Sequence, residues 1–243
     1  MLTVENLTVS FGPTTAVRDV SLAAAPGAVT GILGANGAGK TTTLLGIHGR
    51  VPRTTGTIRL DGEDVTAYGT RRLVAAGIAL CPENRRLFPS MSIEDNLLLG
   101  AHGTGRRIQQ TRLERTYDRF DWIHRRRAEP AGRLSGGQQQ SVAIARALMS
   151  DPKLVLLDEP SSGLSPVAVD EVGALLKDIA DQGTAILLVE QNVRLVRALC
   201  STAWVLAHGD VTASGPVAHL LETDEISNAY LGAVVGVHDR PGW

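Results

Sequence analysis

Residues 34–41 read GANGAGKT, a G-x-x-x-x-G-K-[ST] pattern, and they lie between the apolar run AVTGIL (28–33) and a helix-forming run from Lys40 to about His48. A glycine-rich turn that leaves a short buried-type strand and opens a helix constrains the backbone more than any other stretch of this chain. Its glycines let consecutive N–H groups turn inward, and the helix N-terminus adds partial positive charge, so the turn forms a cradle for phosphate oxygens. The pattern assigns Gly34, Ala35, Asn36, Gly37, Ala38 and Gly39 to that cradle and brings Lys40 to β- and γ-phosphate oxygens. It offers the Thr41 hydroxyl to Mg2+ and places Thr42 beside the α-phosphate.

The segments KLVLLDE (153–159) and TAILLVE (184–190) are near-continuous apolar strands, separated by the amphipathic run VAVDEVGALLKDIADQG (167–183). That order is a βαβ unit, which requires a parallel sheet and a right-handed crossover. Residues 2–10 and 15–24 alternate apolar and polar side chains around Gly12 and Pro13, as an antiparallel pair does. TGTIRLDGEDV (56–65) is a strand ending in an Asp-Gly turn, and STAWVLAHGDVTASG (201–215) reads as two strands around His208, Gly209 and Asp210.

From residue 91 to Arg133 the pattern turns helical and polar, with Arg106, Arg107, Arg112, Arg115, Arg119, Arg125, Arg126 and Arg127 among Glu114, Asp118, Asp121 and Glu129. Such a stretch is either a solvated face of exposed pairs or a docking surface for an acidic or lipid-adjacent partner. ETDEISNAYLG (222–232) reads as a short closing helix, and residues 233–243 as a loosely held tail.

Composition narrows the function. The 243-residue chain carries a net charge of −1, so nothing global indicates a nucleic-acid partner. Cys81 and Cys200 are its only cysteines, too far apart in sequence for a disulfide framework or a zinc motif, which favours a cytosolic setting. The opening MLTVENLTV has no basic region followed by an apolar one, and no run approaches the roughly 18 apolar residues of a spanning helix. The expectation is a chain neither exported nor membrane-spanning, for which any membrane role needs a partner.

LVLLDE delivers Asp158 and then Glu159 at the end of an apolar strand. Beside a phosphate loop in a parallel sheet, Asp158 holds Mg2+ through water and Glu159 polarises an attacking water, the two halves of an NTPase site. LSGGQQQ (134–140) precedes the helical run SVAIARALM, so Ser135, Gly136 and Gly137 offer a hydroxyl and bare N–H groups at a helix start, a second anion site. An N-cap with glycine for close packing is the plainer alternative.

Together GANGAGKT, LSGGQQQ and LLDEP resemble the ATP-binding subunit of ABC transporters, through about Gly232. The resemblance implies an α/β P-loop NTPase fold: a mixed, mostly parallel sheet, an antiparallel β subdomain and a small helical subdomain. The core would span residues 1–82 and 151–232, and the helical part about 83–150. It implies ATP and Mg2+ as ligands, and a head-to-tail dimer with an identical or paralogous subunit. In that dimer Ser135, Gly136, Gly137 and Gln138 touch the ATP held by the partner. It also implies that Phe11 stacks on adenine with Val17 nearby, although a Phe after a strand, taken alone, is more often a core residue.

PENRRLFPSMSIEDNL (82–97), VEQN (189–192) and AYLG (229–232) look like the ATPases of branched-chain amino-acid uptake systems. That likeness implies permease subunits, indirectly a solute-binding protein, and a peripheral place on the cytoplasmic face of the cell membrane. Importers of urea or short amides share these motifs and are the nearest alternative.

Three positions depart from the broad family. Glu83 stands where glutamine is usual, with a role toward metal and attacking water; Gln191 replaces the switch histidine, and Ser165 an aspartate. Asn84 stands where the subgroup often has glycine. A nucleotide-binding module without hydrolysis would fit those changes, but Glu159 argues against it. A soluble ABC ATPase would be expected to show tandem cassettes or a long coiled-coil insertion.

Overall fold

A computed structural model describes residues 1–51 and 54–223. The expected closing helix at 222–232 lies almost entirely, and the tail entirely, outside the described residues. The chain opens with strands β1 (Leu2–Phe11), β2 (Thr14–Ala24) and β3 (Val29–Leu33), then helix α1 (Lys40–Ile47). Strands β4 (Thr54–Leu60) and β5 (Glu63–Asp64), helix α2 (Thr70–Ala76) and strand β6 (Ile78–Cys81) follow. A helical block holds α3 (Ile93–Gly100), α4 (Arg106–Arg119), α5 (Asp121–Arg125) and α6 (Gly136–Leu148). The last part runs β7 (Leu154–Asp158), α7 (Pro166–Asp181), β8 (Ala185–Glu190), α8 (Val193–Leu199), β9 (Thr202–Ala207), β10 (Asp210–Pro216) and α9 (Val217–Glu222).

Two sheets result. An antiparallel one has the order β2-β1-β4-β5, and a six-stranded one the order β10-β9-β3-β8-β7-β6. Strands β9, β3, β8, β7 and β6 are parallel neighbours, and only β10 pairs antiparallel, at the edge. The expected α/β fold with a mostly parallel sheet and an antiparallel sheet is what the chain adopts.

Burial explains the apolar runs. Along β7, Leu154 and Leu156 join one core cluster, which reaches up to Leu2, Leu7 and Val17 of the antiparallel sheet. Val155 and Leu157 join the cluster on the opposite face with Leu176 and Ile179 of α7. A strand covered on both faces cannot alternate. A third cluster belongs to the helical block, with Ile93, Leu97, Leu113, Ile123 and Met149. Helix α6 joins the two bodies, since Ala143 and Ile144 face the sheet cluster while Val142 and Ala145 face the helical one.

The caps are local chemistry. Ser92 accepts from the Asp95 N–H at the start of α3, whose first turn carries Glu94 and Asp95. Ser165 accepts from the Ala168 N–H and precedes Pro166 at the start of α7. Serine therefore caps this helix as an aspartate would, so the local turn tolerates the substitution. Most of the arginine-rich stretch is a solvated face of pairs: Arg115 reaches Asp151, Arg119 Asp178, Arg125 Asp121, Arg126 Glu129 and Arg127 Glu94. Exposed pairs of this kind contribute little to stability, because solvent screens them.

Candidate functional site

Register brings the site together. Leu33 lies opposite Glu190, Asp158 opposite Val189, and Cys81 opposite Leu157, so four parallel strands end side by side. Ligands bind outside the carboxyl ends of such strands. Residues 34–41, Glu83, Glu159 and Gln191 all leave from that edge.

The phosphate loop is a close-fitted turn. A Cβ on Gly34 would lie 2.4 Å from the Leu206 carbonyl oxygen, and one on Gly39, at φ 101°, would lie 2.9 Å from that of Ala16. Two positions are thus closed to any side chain. Lys40 is 4% exposed; its Nζ donates to the carbonyls of Gly34 at 2.9 Å and Ala35 at 3.1 Å, and lies 3.0 Å from Glu159 Oε1. The lysine folds back onto its own loop, with Glu159 as counter-charge.

Thr41 Oγ1 donates to Asp158 Oδ1 at 2.8 Å. Burial pushes the Asp158 carboxyl above its ordinary range; the Thr41 bond opposes this, and the charges of Glu159 and Glu83 reinforce it. A buried carboxylate facing a hydroxyl, with a surplus of negative charge around it, is a hard-oxygen set suited to Mg2+. Among the described residues no three His, Cys, Asp or Glu form a preassembled metal cage. Mg2+ is usually held by one or two carboxylates together with substrate phosphates.

Gln191 Nε2 lies 2.7 Å from Asn36 Oδ1 and 2.8 and 2.9 Å from the two Glu159 oxygens. One amide thereby ties the phosphate loop to the acidic residue. Glu159 itself sits at φ 45°, a left-handed backbone.

A cleft of about 810 Å³ at this edge is lined by Thr14, Thr15, Ala16, Asn36, Gly37, Gly39, Lys40, Thr41, Thr42, Glu83 and Glu159, with Arg18 and His208. Most of the expected phosphate-side residues are together. Phe11 and Val17 are not among the lining residues. Phe11 is 47% exposed and pairs across the hairpin with Thr14, whereas Val17 is fully buried in the core under the loop. The β2 segment meets the cleft through Ala16 instead. Ala35 contributes its carbonyl to Lys40, and Gly34 and Ala38 are buried.

Ser135, Gly136, Gly137 and Gln138 do not line this cleft. Ser135 and Gln138 form a capping box at the start of α6, and a Cβ on Gly137 would meet Ala168 Cβ at 2.8 Å. The plainer reading of LSGGQQQ therefore holds as local structure, while Ser135 remains exposed. Capping and a role toward a partner's nucleotide do not exclude each other.

Sequence reasoning missed two residues. Glu190 is 2% exposed; its Oε1 accepts from Ser161 N at 2.9 Å and its Oε2 from the N–H groups of Gln191 at 3.1 Å and Asn192 at 3.2 Å. It fixes the turns after Glu159 and before α8 to each other. Gly209, at φ 90°, donates its N–H to Ala38 O at 3.0 Å, and a Cβ there would lie 2.6 Å from Ala16 O. It backs the phosphate loop from behind, and the only signal for it was the His-Gly-Asp turn.

A sequence profile of ABC transporters matches residues 17–162. The chain is an ABC transporter ATPase. It is 35% identical to the high-affinity branched-chain amino acid transport ATP-binding protein BraG of Pseudomonas aeruginosa over 96% of this chain and 100% of that one. It is 33% identical to the lipopolysaccharide export system ATP-binding protein LptB of Escherichia coli, over 95% and 97%. A solved nucleotide-free ATP-binding cassette from an ABC transporter superposes with a TM-score of 0.86 at 24% identity, covering 94% of this chain and 98% of the other, a likeness of fold. CbiO1 of Clostridium perfringens, part of the transporter complex cbiONQ, superposes with a TM-score of 0.77 at 28% identity, covering 98% of each chain.

The family binds ATP, and its ATPases work as dimers with membrane permeases. No helix among the described residues of this ATPase is long and apolar enough to cross a membrane.

Proposed function

We propose that this ATPase powers the import of branched-chain amino acids through a permease, from the cytoplasmic face of the membrane, paired head to tail with a second ATPase subunit and served by a solute-binding protein. In this reading the chain through about Gly232 is a single cassette, with the helical part at about 83–150. The observation that carries the ATP site is the convergence of Lys40, Thr41, Asp158, Glu159 and Gln191 at one sheet edge.

ATP phosphates take over Lys40 from Glu159 and the loop carbonyls, with Thr42 beside the α-phosphate. That exchange leaves Glu159 free to accept a proton from the attacking water, which Glu83 helps to position. Thr41 and Asp158, with Glu83 near, would hold Mg2+, which would supply positive charge to the phosphate oxygens. Phe11, half-exposed and paired across the hairpin with the cleft residue Thr14, stacks on adenine. Ser135, Gly136, Gly137 and Gln138 close the partner's site.

Gln191 keeps a hydrogen bond toward the γ-phosphate without acid–base chemistry, because an amide does not ionise. Gln191→Ala is expected to slow turnover by roughly ten- to a hundredfold, the loss of about 1.5–3 kcal/mol for a bond to a charged group. Gln191→His is expected to stay active and add an ionisation between about pH 6 and 7 to the turnover profile. An unchanged rate in Gln191→Ala, measured with the permease present, removes the residue from the site.

BraG supports the amino-acid substrate; LptB, at nearly the same identity, supports a second reading as the motor of a lipid exporter. Uptake into proteoliposomes holding this ATPase, its permease and binding protein separates them. Labelled leucine should accumulate only with ATP, whereas uptake of urea alone, or lipid extraction without solute uptake, overturns the assignment.

A further inference from the structure

Glu190 ends β8 between β3, which leads into the phosphate loop, and β7, which leads into Asp158 and Glu159. Its side chain is buried and does not line the nucleotide cleft. Burial pushes its carboxyl above the ordinary range, and hydrogen-bond donors alone oppose this: the Ser161 N–H and hydroxyl, and the N–H groups of Asn192 and Gln191. Among the described residues no basic side chain offsets the charge.

A buried carboxylate without a cation is costly, and neutral side chains could cap the two neighbouring turns separately. Asn192 already does so for α8, where its side chain accepts from the Leu195 N–H. The carboxylate supplies something a neutral side chain of its length does not: two oxygens that only accept, facing two turns at once. Oε1 takes Ser161, in the turn after Glu159, and Oε2 takes Gln191 and Asn192 at the start of α8. Bonds to an ionised acceptor are among the stronger a backbone N–H can make.

Both turns carry groups that face the nucleotide cleft. The Gln191 amide reaches Asn36 of the phosphate loop and both oxygens of Glu159. The turn after Glu159 is tied within itself: the Glu159 N–H donates to Val189 O at 2.9 Å, Ser162 N–H to Glu159 O at 3.1 Å and Leu164 N–H to Ser161 O at 3.2 Å. It runs into the Ser165 cap of α7, where Ala168 lies so close to Gly137 of α6 that a Cβ on the glycine would meet it at 2.8 Å. The Gln191 side chain and the Glu190 carboxylate therefore hold Glu159 from two sides.

We propose that Glu190 is a positioning residue for ATP hydrolysis: it locks the backbones of residues 161 and 191 into one frame, so that a shift of Gln191 with the nucleotide moves the turn 159–164 and the Glu159 carboxylate with it. This role presupposes that Glu159 and Gln191 act on the nucleotide, and adds the group that keeps them in register.

Two variants of the full chain break the frame differently. In Glu190→Gln the amide nitrogen cannot accept, so one turn loses its anchor; in Glu190→Asp the charge stays but the side chain is one methylene too short to span both. Each is expected to lower kcat roughly ten- to a hundredfold, the range for loss of a hydrogen bond to a charged group, with KM for ATP within about twofold because the phosphate loop is untouched. Adding Glu190→Gln to Gln191→Ala should slow turnover by less than about threefold more, since both act through one frame. Amide resonances report the transmission itself. A Mg2+-bound non-hydrolysable ATP analogue is expected to shift Lys40, Gln191 and Ser161 in the unaltered chain, and in Glu190→Gln to shift Lys40 while leaving Ser161 unmoved. An unchanged kcat, multiplicative losses in the double variant or a Ser161 shift that survives the substitution overturns the proposal. So does loss of the folded state in both variants, seen by circular dichroism, which makes Glu190 a structural carboxylate. Failure of the site reading registers separately, as an unaltered rate in Gln191→Ala alone.

Discussion

Glu159→Gln is expected to bind ATP at least as tightly as the unaltered chain and to hydrolyse it at least about a thousandfold more slowly, in the range that general-base removal produces. The substitution keeps the shape of the side chain and removes only its ability to take a proton. Its effect on binding follows from the ion pair with Lys40 at 3.0 Å. A neutral amide in place of the carboxylate leaves the ammonium without its counter-charge, so phosphate competes for Lys40 on easier terms. The left-handed backbone at residue 159 is met equally by either side chain, so the fold is not disturbed. Phosphate release measures the rate, and light scattering detects the ATP-bound dimer that accumulates when hydrolysis stalls. A rate near that of the unaltered chain removes Glu159 from the chemistry.

The parts of this site legible in the sequence are those that local chemistry dictates. GANGAGKT had to leave a strand and open a helix, and it does so between β3 and α1. The apolar runs at 153–159 and 184–190 had to be strands covered on both faces, and the two core clusters cover them. Helix α2 and strand β6 were not read. The seven-residue helix has no side-chain cap at Gly69 and buries only Leu73, and the strand is four residues long at a sheet edge. Neither is long enough to display a period.

The helical stretch from 91 to 133 carries the right composition but not its own divisions. Gly105 opens α4 without a side-chain cap, and Phe120 both ends α4 and starts α5. The turn around Asn84, where the subgroup often has glycine, is supported nonlocally. Asn84, Arg85 and Arg86 all take left-handed φ values, 60°, 60° and 45°, and the Arg146 guanidinium on α6 holds the last two carbonyls. Glu190 and Gly209 were missed for the same reason. Their importance lies in contacts with residues far along the chain, which no spacing rule encodes.

A Ser135→Arg chain and a Lys40→Ala chain are each expected to lose ATP turnover at least about a hundredfold, and a mixture of the two to regain it. Loss in Lys40→Ala follows from removal of the one cation in the phosphate loop, and should appear as lost ATP affinity. Loss in Ser135→Arg has no explanation within one chain, because Ser135 does not line that chain's own cleft. Removing the Ser135 cap costs about 1 kcal/mol of helix stability, too little to unfold a domain of this size, and circular dichroism checks that. In the proposed head-to-tail dimer each site joins the phosphate loop of one chain to the α6 start of the other. A mixed dimer therefore holds one site with both defects and one with neither, so an equal mixture should recover about a quarter of the full rate if sites act independently. Crosslinking tests the geometry when one site cannot turn over alone. Cysteines at Ser135 and Asn36 should join two chains only with ATP present; Asn36 is preferable to Gly37, whose φ of 80° strains any other residue. The native thiols do not interfere, because burial pushes Cys81 and Cys200 up to about 12 and keeps them protonated. If the mixture regains no turnover and ATP brings no crosslink, the head-to-tail site is without support and the exposed hydroxyl of Ser135 is a helix cap alone.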